Sequence, residues 1–377
     1  MITSNSPTVF VKKFLPRIYQ VVGYLTYYIG RVIGVLFFRL KTNSQVRSFT
    51  IAVEAGKIGW ESPVYNEIFE SAGEYFGQGQ VCKIAIDRNK GYASQVYGQI
   101  KSLTLRYYFF DPRTTSTNFT KCSLQIFALT FILGVFNVKP IVMVTDFSVR
   151  MWRYGALALT AKHGHVFNFL DTSLMGEHHF HSRVLSLQIF PMSKNTFQNL
   201  ESFDRNKPLS LPISIGFVGA IYSSRELFFK SLREEILNSP VLNKLCQLDL
   251  KDKDYKDGPS DYFKKLAYND AIITTTIPEP CADYIQDRLD IPQMVFRITE
   301  ALALGKLLIC TPVPGMERYI IPDVDYILLE KIIDIQKINK SHEDLELIRQ
   351  SGHAKMKWHI QNQTFWKQLV NPVKNEL

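Results

Sequence analysis

The residues best placed to do chemistry are Arg297 and Glu300, three apart in the stretch FRITEALALGK. A helix would put them on one face. Ala301, Leu302, Ala303 and Leu304 follow directly, so the carboxylate sits beside a packing surface, where it needs a hydrogen-bonding partner or a ligand. An internal Arg–Glu ion pair is the plainer alternative. A second candidate is the turn Gly216-Phe217-Val218-Gly219, followed by Ser223, Ser224, Arg225 and Glu226. Here a strand ends, glycine lets a ligand approach the backbone, and a helix begins. Ser223 and Glu226 have capping-box spacing. Free amides and the helix dipole at such a turn attract a phosphate, and Arg225 adds charge. A tight βα turn with a surface arginine would read the same way. Ahead of Arg297, Asp290-Ile291-Pro292 is suited to cap and start a helix whose N-terminus favours an anion.

These residues need a scaffold of strands and helices in alternation. Apolar or β-branched runs predict strands at 48–53, 81–86, 103–110, 140–145, 166–171 and 184–190. Helices are predicted over 63–76, capped by Ser62, and over the apolar stretch 121–136, which is too short to span a bilayer. A second alternation starts at Ile213. It predicts strands 213–218, 244–248, 271–276 and 307–311, with helices 224–237, 260–266 and 292–304, and an amphipathic tail over 343–369. The pattern is that of two doubly wound α/β domains. The expected division is an N-terminal segment 1–47, a first domain 48–200, a linker 201–212, a second domain 213–340 and a helical tail 341–377.

With 377 residues, 46% hydrophobic and 21% charged, the chain can hold two cores, and a disordered or repetitive protein is excluded. Cys82, Cys122, Cys246, Cys281 and Cys310 show no CxxC or Cys/His spacing, which argues for free thiols in a reducing compartment and against a metal site. The cluster Glu177-His178-His179-Phe180-His181 lacks a matching second cluster and is expected to be a polar loop. No GxGxxG follows a predicted strand, so a dehydrogenase is disfavoured.

The formal net charge of +9 is concentrated at one end. Lys12, Lys13, Arg17, Arg31, Arg39, Lys41 and Arg47 fall within the first fifty residues, which hold no acid. The balance elsewhere argues against a nucleic-acid partner. Residues 10–41 are rich in aromatic and aliphatic side chains. Arg31 and three glycines within 18–38 disfavour a transmembrane span, since a central Arg costs ~2.5–3.5 kcal/mol on insertion scales. An interfacial helix or pair of helices lying on an anionic membrane fits better. An ordinary helix packed on the first domain is the competing reading.

The block from Phe296 to Ile320 resembles the nucleotide-binding half of GT-B glycosyltransferases: Glu300 begins EALALGK, which matches that family's Glu-Ala-x-Ala-x-Gly pattern, and Gly315-Met316-Glu317 matches the loop bordering the donor. The resemblance covers about residues 213–320 and is architectural over 48–195. It implies an α/β GT-B fold, two Rossmann-like domains facing a cleft, and hexosyl transfer from a nucleotide-diphosphate sugar with no further cofactor. The acceptor would be a lipid-linked or cell-surface glycan, and the enzyme would sit on the inner face of the cytoplasmic membrane. By the same resemblance Glu300 holds the ribose hydroxyls, and Gly219, Ser223, Arg225, Arg297 and Gly315 line the nucleotide site. The family's retaining group has another Glu eight positions before this one, where Pro292 stands here, so the stereochemical outcome stays open. An inverting reaction needs a base from the first domain. Glu54 and Asp146 lead, ahead of Asp171 and His163. A sugar-nucleotide epimerase of the same fold and a non-catalytic membrane-associated member remain alternatives.

Overall fold

A computed structural model describes residues 7–37, 47–55, 62–87, 90–110, 119–144, 165–168, 184–203, 208–219, 223–251, 259–275 and 295–370. Contacts divide the chain into two units, the second taking the residues from Ser186 on.

The first unit is built on a six-stranded sheet of order β2-β1-β3-β4-β5-β6. Its strands are β1 (Arg47–Ala55), β2 (Val81–Ala85), β3 (Leu103–Phe110), β4 (Lys139–Val144), β5 (His165–Asn168) and β6 (Val184–Ser186). The pairs β1–β2, β1–β3, β3–β4 and β4–β5 are parallel. Ile51, Ala52 and Val53 of β1 and Tyr108, Phe109 and Phe110 of β3 are fully buried, as expected of strands covered on both faces. The helices are α1 (Pro7–Phe37), α2 (Ser62–Phe76), α3 (Tyr92–Ile100) and α4 (Phe119–Val135).

The N-terminal segment is one continuous helix, α1. It packs on α4. Gly23, Tyr27, Gly30 and Gly34 form its buried face. A Cβ on Gly30 would collide with the carbonyl of Phe131, on Gly34 with that of Val135, and on Gly134 of α4 with that of Tyr27. The backbones therefore approach at a distance that only glycine permits. The Tyr27 hydroxyl donates to the Val138 carbonyl, 3.3 Å away, and fixes the register.

The second unit has a five-stranded sheet of order β11-β10-β9-β7-β8, with β7 (Ile213–Val218), β8 (Cys246–Lys251), β9 (Ala271–Thr274), β10 (Leu307–Cys310) and β11 (Ile327–Leu328). Its pairs are parallel. The helices are α5 (Lys194–Glu201), α6 (Ser223–Asn238), α7 (Leu242–Leu245), α8 (Pro259–Ala267), α9 (Phe296–Ala303), α10 (His342–Gln361) and α11 (Thr364–Val370). Phe229, Leu232 and Ile236 recur at three- and four-residue spacing on α6 and join the core formed with Ile213, Ile215 and Phe217. Two tandem parallel α/β units agree with the Rossmann-like architecture expected of the GT-B resemblance.

The predicted linker begins inside a helix. On α5, Phe197 stacks on His353 of α10, and Glu201 accepts from Lys357, 2.9 Å away. Residues 194–201 thus belong to the second unit. The C-terminal helix also closes α9. Arg349 donates to the Gly305 carbonyl at 2.7 Å, and His353 Nδ1 lies 2.8 Å from the Leu302 carbonyl. Arg349 thus meets a carbonyl just past the end of α9, and His353 joins the Gly305 N–H on the Leu302 carbonyl.

Candidate functional site

In the second unit β7 pairs with β8 on one side and β9 on the other, so the chain reverses its direction of sheet growth between β7 and β9. Ligands of open parallel sheets bind outside the carboxyl ends of strands at such a reversal. Gly219 follows β7 and Thr275 follows β9, flanking that point. The Arg225 Nε donates to the Thr275 hydroxyl at 3.1 Å and bridges the two strand ends.

Phe217, the penultimate residue of β7, is fully buried. Two guanidinium groups lie against its ring, Arg297 at 4.6 Å from the centroid and Arg225 at 5.8 Å. An aromatic ring attracts cations, and here two cations share one ring. Gly219 is part of the same arrangement, because a Cβ there would strike the Arg297 Nη2. The Arg297 Nε is buried without a hydrogen-bond partner among the described residues. A buried unpaired donor on a cation next to a second cation is satisfied by an anion.

Glu300 lies one turn after Arg297 on α9. Its Oε2 accepts from the Tyr262 hydroxyl of α8 at 2.6 Å. Burial raises the Tyr262 pKa, and the Glu300 charge raises it further against the opposing effect of Arg297. The phenol therefore stays protonated and acts as a donor that orients the carboxylate. Gly315 has φ 85°, in the left-handed region, and leads the 3-10 turn Met316–Arg318 after β10. That backbone favours glycine.

Of the residues singled out from sequence, the structure brings Arg225, Arg297 and Gly219 together around Phe217. It sets Glu300 on the same helix as Arg297 and places Gly315 at the end of a neighbouring strand. Ser223 opens α6, and its side chain lies outside the described residues, as do Asp290, Ile291 and Pro292. Helix α9 starts at Phe296, four residues after the predicted start, with Val295 as its cap. Phe217 stood inside the quoted turn without being recognised as the platform. Tyr262 and Thr275 were missed, since neither carries a local signal.

Glu54 requires a correction. It ends up 1% exposed near the carboxyl end of β1, where Tyr92 and Tyr108 both donate to its Oε1, the latter at 2.6 Å. Burial first, then the Glu54 charge, drives both phenols well above the usual tyrosine pKa. A general base must reach its substrate's proton. This carboxylate is enclosed and engaged by two phenols, which is the setting of a group that holds the fold. Asp146, Asp171, His163 and the cluster 177–181 lie outside the described residues. Among the described residues no group of three His, Cys, Asp or Glu could hold a metal ion.

No family model matches the chain, and no curated protein matches it. Solved structures that resemble it include Anabaena HepE in complex with UDP and glucose, with 11% identity and a TM-score of 0.49 over 87% of this chain and 100% of that one. A glycosyltransferase from Rickettsia africae has 13% identity and a TM-score of 0.47, covering 88% of this chain and all of its own. AviGT4, a glycosyltransferase involved in avilamycin A biosynthesis, has 8% identity and a TM-score of 0.48 over 86% of this chain and 98% of its own.

Proposed function

We propose that the chain is a glycosyltransferase that binds a nucleoside-diphosphate sugar in its second unit and passes the sugar to a lipid-linked or cell-surface glycan. The observation that carries this reading is the convergence of Arg225 and Arg297 on Phe217 beside Gly219, with Glu300, one turn on from Arg297, held by Tyr262. The two guanidinium groups suit a diphosphate, whose departure with negative charge they would stabilise. A carboxylate oriented by a phenol suits a vicinal diol such as a ribose, because it accepts from both hydroxyls. Gly219 and Gly315 allow backbone to approach the ligand.

With Glu54 enclosed, Asp146 is the remaining first-choice candidate for the base that deprotonates the acceptor. The acceptor class and a site of action at the inner membrane face belong to the same proposal.

Titration calorimetry with UDP, GDP and CMP tests it. One of these nucleotides should bind the wild-type chain, and Glu300→Ala should weaken it at least about tenfold, the worth of one hydrogen bond to a charged group. Unchanged affinity in that variant would remove the ribose role. Binding of none of them would favour the non-catalytic reading. An epimer formed from donor alone would favour the epimerase.

A further inference from the structure

The outward side of α1 is unusual for a helix that is already packed. Its inward face, Gly23, Tyr27, Gly30 and Gly34, is consumed by α4. On the other side stand Val21, Leu25, Ile29, Val32, Val35 and Leu36, each between 48% and 60% exposed. Val21, Leu25, Ile29, Val32 and Leu36 follow a spacing of four, four, three and four, so they form one stripe along the helix. The fifteen helical steps from Val21 to Leu36, at about 1.5 Å each, make that stripe about 22 Å long. A contiguous apolar strip of this kind marks a binding surface rather than scattered surface residues.

We propose that this stripe docks α1 in the plane of an anionic lipid bilayer surface. The charge pattern selects the occupant. The first fifty residues carry seven basic side chains and no acidic one. Such a segment is drawn to acidic headgroups while its apolar side chains enter the acyl boundary. A second copy of the chain fits poorly, because it would bring another segment of the same sign against this one. No helix among the described residues is long and apolar enough to cross a membrane, and Arg31 stands within the stripe's own length, where a bilayer interior would penalise it. The glycine seam with α4 has a consequence for the docking. It holds α1 rigidly against the first unit, so the stripe is presented ready-formed and the helix need not be ordered on binding.

The test uses the full chain and vesicles of phosphatidylcholine with or without phosphatidylglycerol. The wild type should float with the mixed vesicles, and added salt should weaken the association. The triple substitution Leu25→Ser, Ile29→Ser, Val32→Ser should reduce the bound fraction at least about tenfold. Its melting temperature and nucleotide affinity should stay at wild-type values, since the three side chains are exposed and lie on another unit from the nucleotide site. Undiminished flotation of the triple variant overturns the proposal. So does equal retention of the wild type on neutral vesicles at all salt concentrations. A wild-type dimer that the triple variant dissolves, with no vesicle binding, overturns it as well and assigns the stripe to a second copy.

Discussion

Glu54 in the first unit and Glu300 in the second are both carboxylates met by tyrosine hydroxyls. Their surroundings separate them. Glu54 is enclosed, and two phenols converge on a single oxygen. Glu300 is half-buried, takes one phenol, and lies a helical turn from a guanidinium that has an unpaired buried donor. The first arrangement is complete as it stands. The second leaves the Arg297 Nε buried without a partner among the described residues. A buried carboxylate by itself is therefore no indication of a site, and the unused capacity around it is.

The largest effect should come from breaking the complete arrangement. Glu54→Ala leaves two buried phenols without their acceptor, at a cost of about 3–5 kcal/mol. Urea unfolding should show a lowered midpoint, while Glu54→Gln, which keeps an acceptor oxygen, should lose less. Nucleotide affinity of the folded fraction should not change. If Glu54→Ala kept the wild-type midpoint and lost transfer activity, Glu54 would be the base after all and the contrast would collapse.

The incomplete arrangement should respond in the opposite way. Arg297→Met should cost about 2 kcal/mol of nucleoside-diphosphate affinity, roughly thirtyfold, with little change in the urea midpoint. Arg297→Lys should recover only part of it, because an ammonium lacks the planar face that lies on Phe217. Gly219→Ala should mimic it more mildly by pushing the same guanidinium aside. Smaller again is Tyr262→Phe. It keeps the ring and removes the donor that orients Glu300, so affinity should drop by about tenfold or less. A destabilised fold in any of these four variants, with affinity intact, would place Glu300 and Arg297 alongside Glu54 as structural groups.

How much of this was legible follows from the range of the interactions. Strands β3 and β7 could be read to the residue: ISIGFV is a nearly continuous apolar run, and LTLRYYFF alternates before its buried aromatic end. The pair Arg297 and Glu300 and the turn at Gly219 are local in sequence, and their spacing alone placed them. Tyr262 is 38 residues from Glu300, and the phenols that enclose Glu54 are 38 and 54 residues from it. No pattern in a single chain announces such partners. Helix α5 was overlooked for the same reason. Its sequence KNTFQNLE offers two buried apolar residues, Phe197 and Leu200, and Phe197 gains its meaning from His353 on the C-terminal helix.

The contrast extends to pH through a histidine of the second unit. His359 is 5% exposed, with Nε2 2.9 Å from the Tyr319 carbonyl and Nδ1 3.2 Å from the Thr364 hydroxyl. Burial lowers its pKa; the Tyr319 carbonyl opposes that shift and the charge of Lys355 adds to it. A lowered folded-state value means that the unfolded chain takes up the proton first. The stability His359 contributes is thus fully present above the unfolded value, about 6.5, and is lost as pH falls through it toward the folded value. Asp270 is also held below its usual value: burial opposes the shift, and hydrogen bonds from Ser210 and Ser214 outweigh it. Over about pH 7.5 to 5.5 the melting temperature of the second unit should fall, and His359→Gln should flatten the slope by removing one titrating group. A slope unchanged in that variant would mean that His359 is as readily protonated in the fold as outside it, and would pass the acid sensitivity to another group of the unit, the buried His353 first.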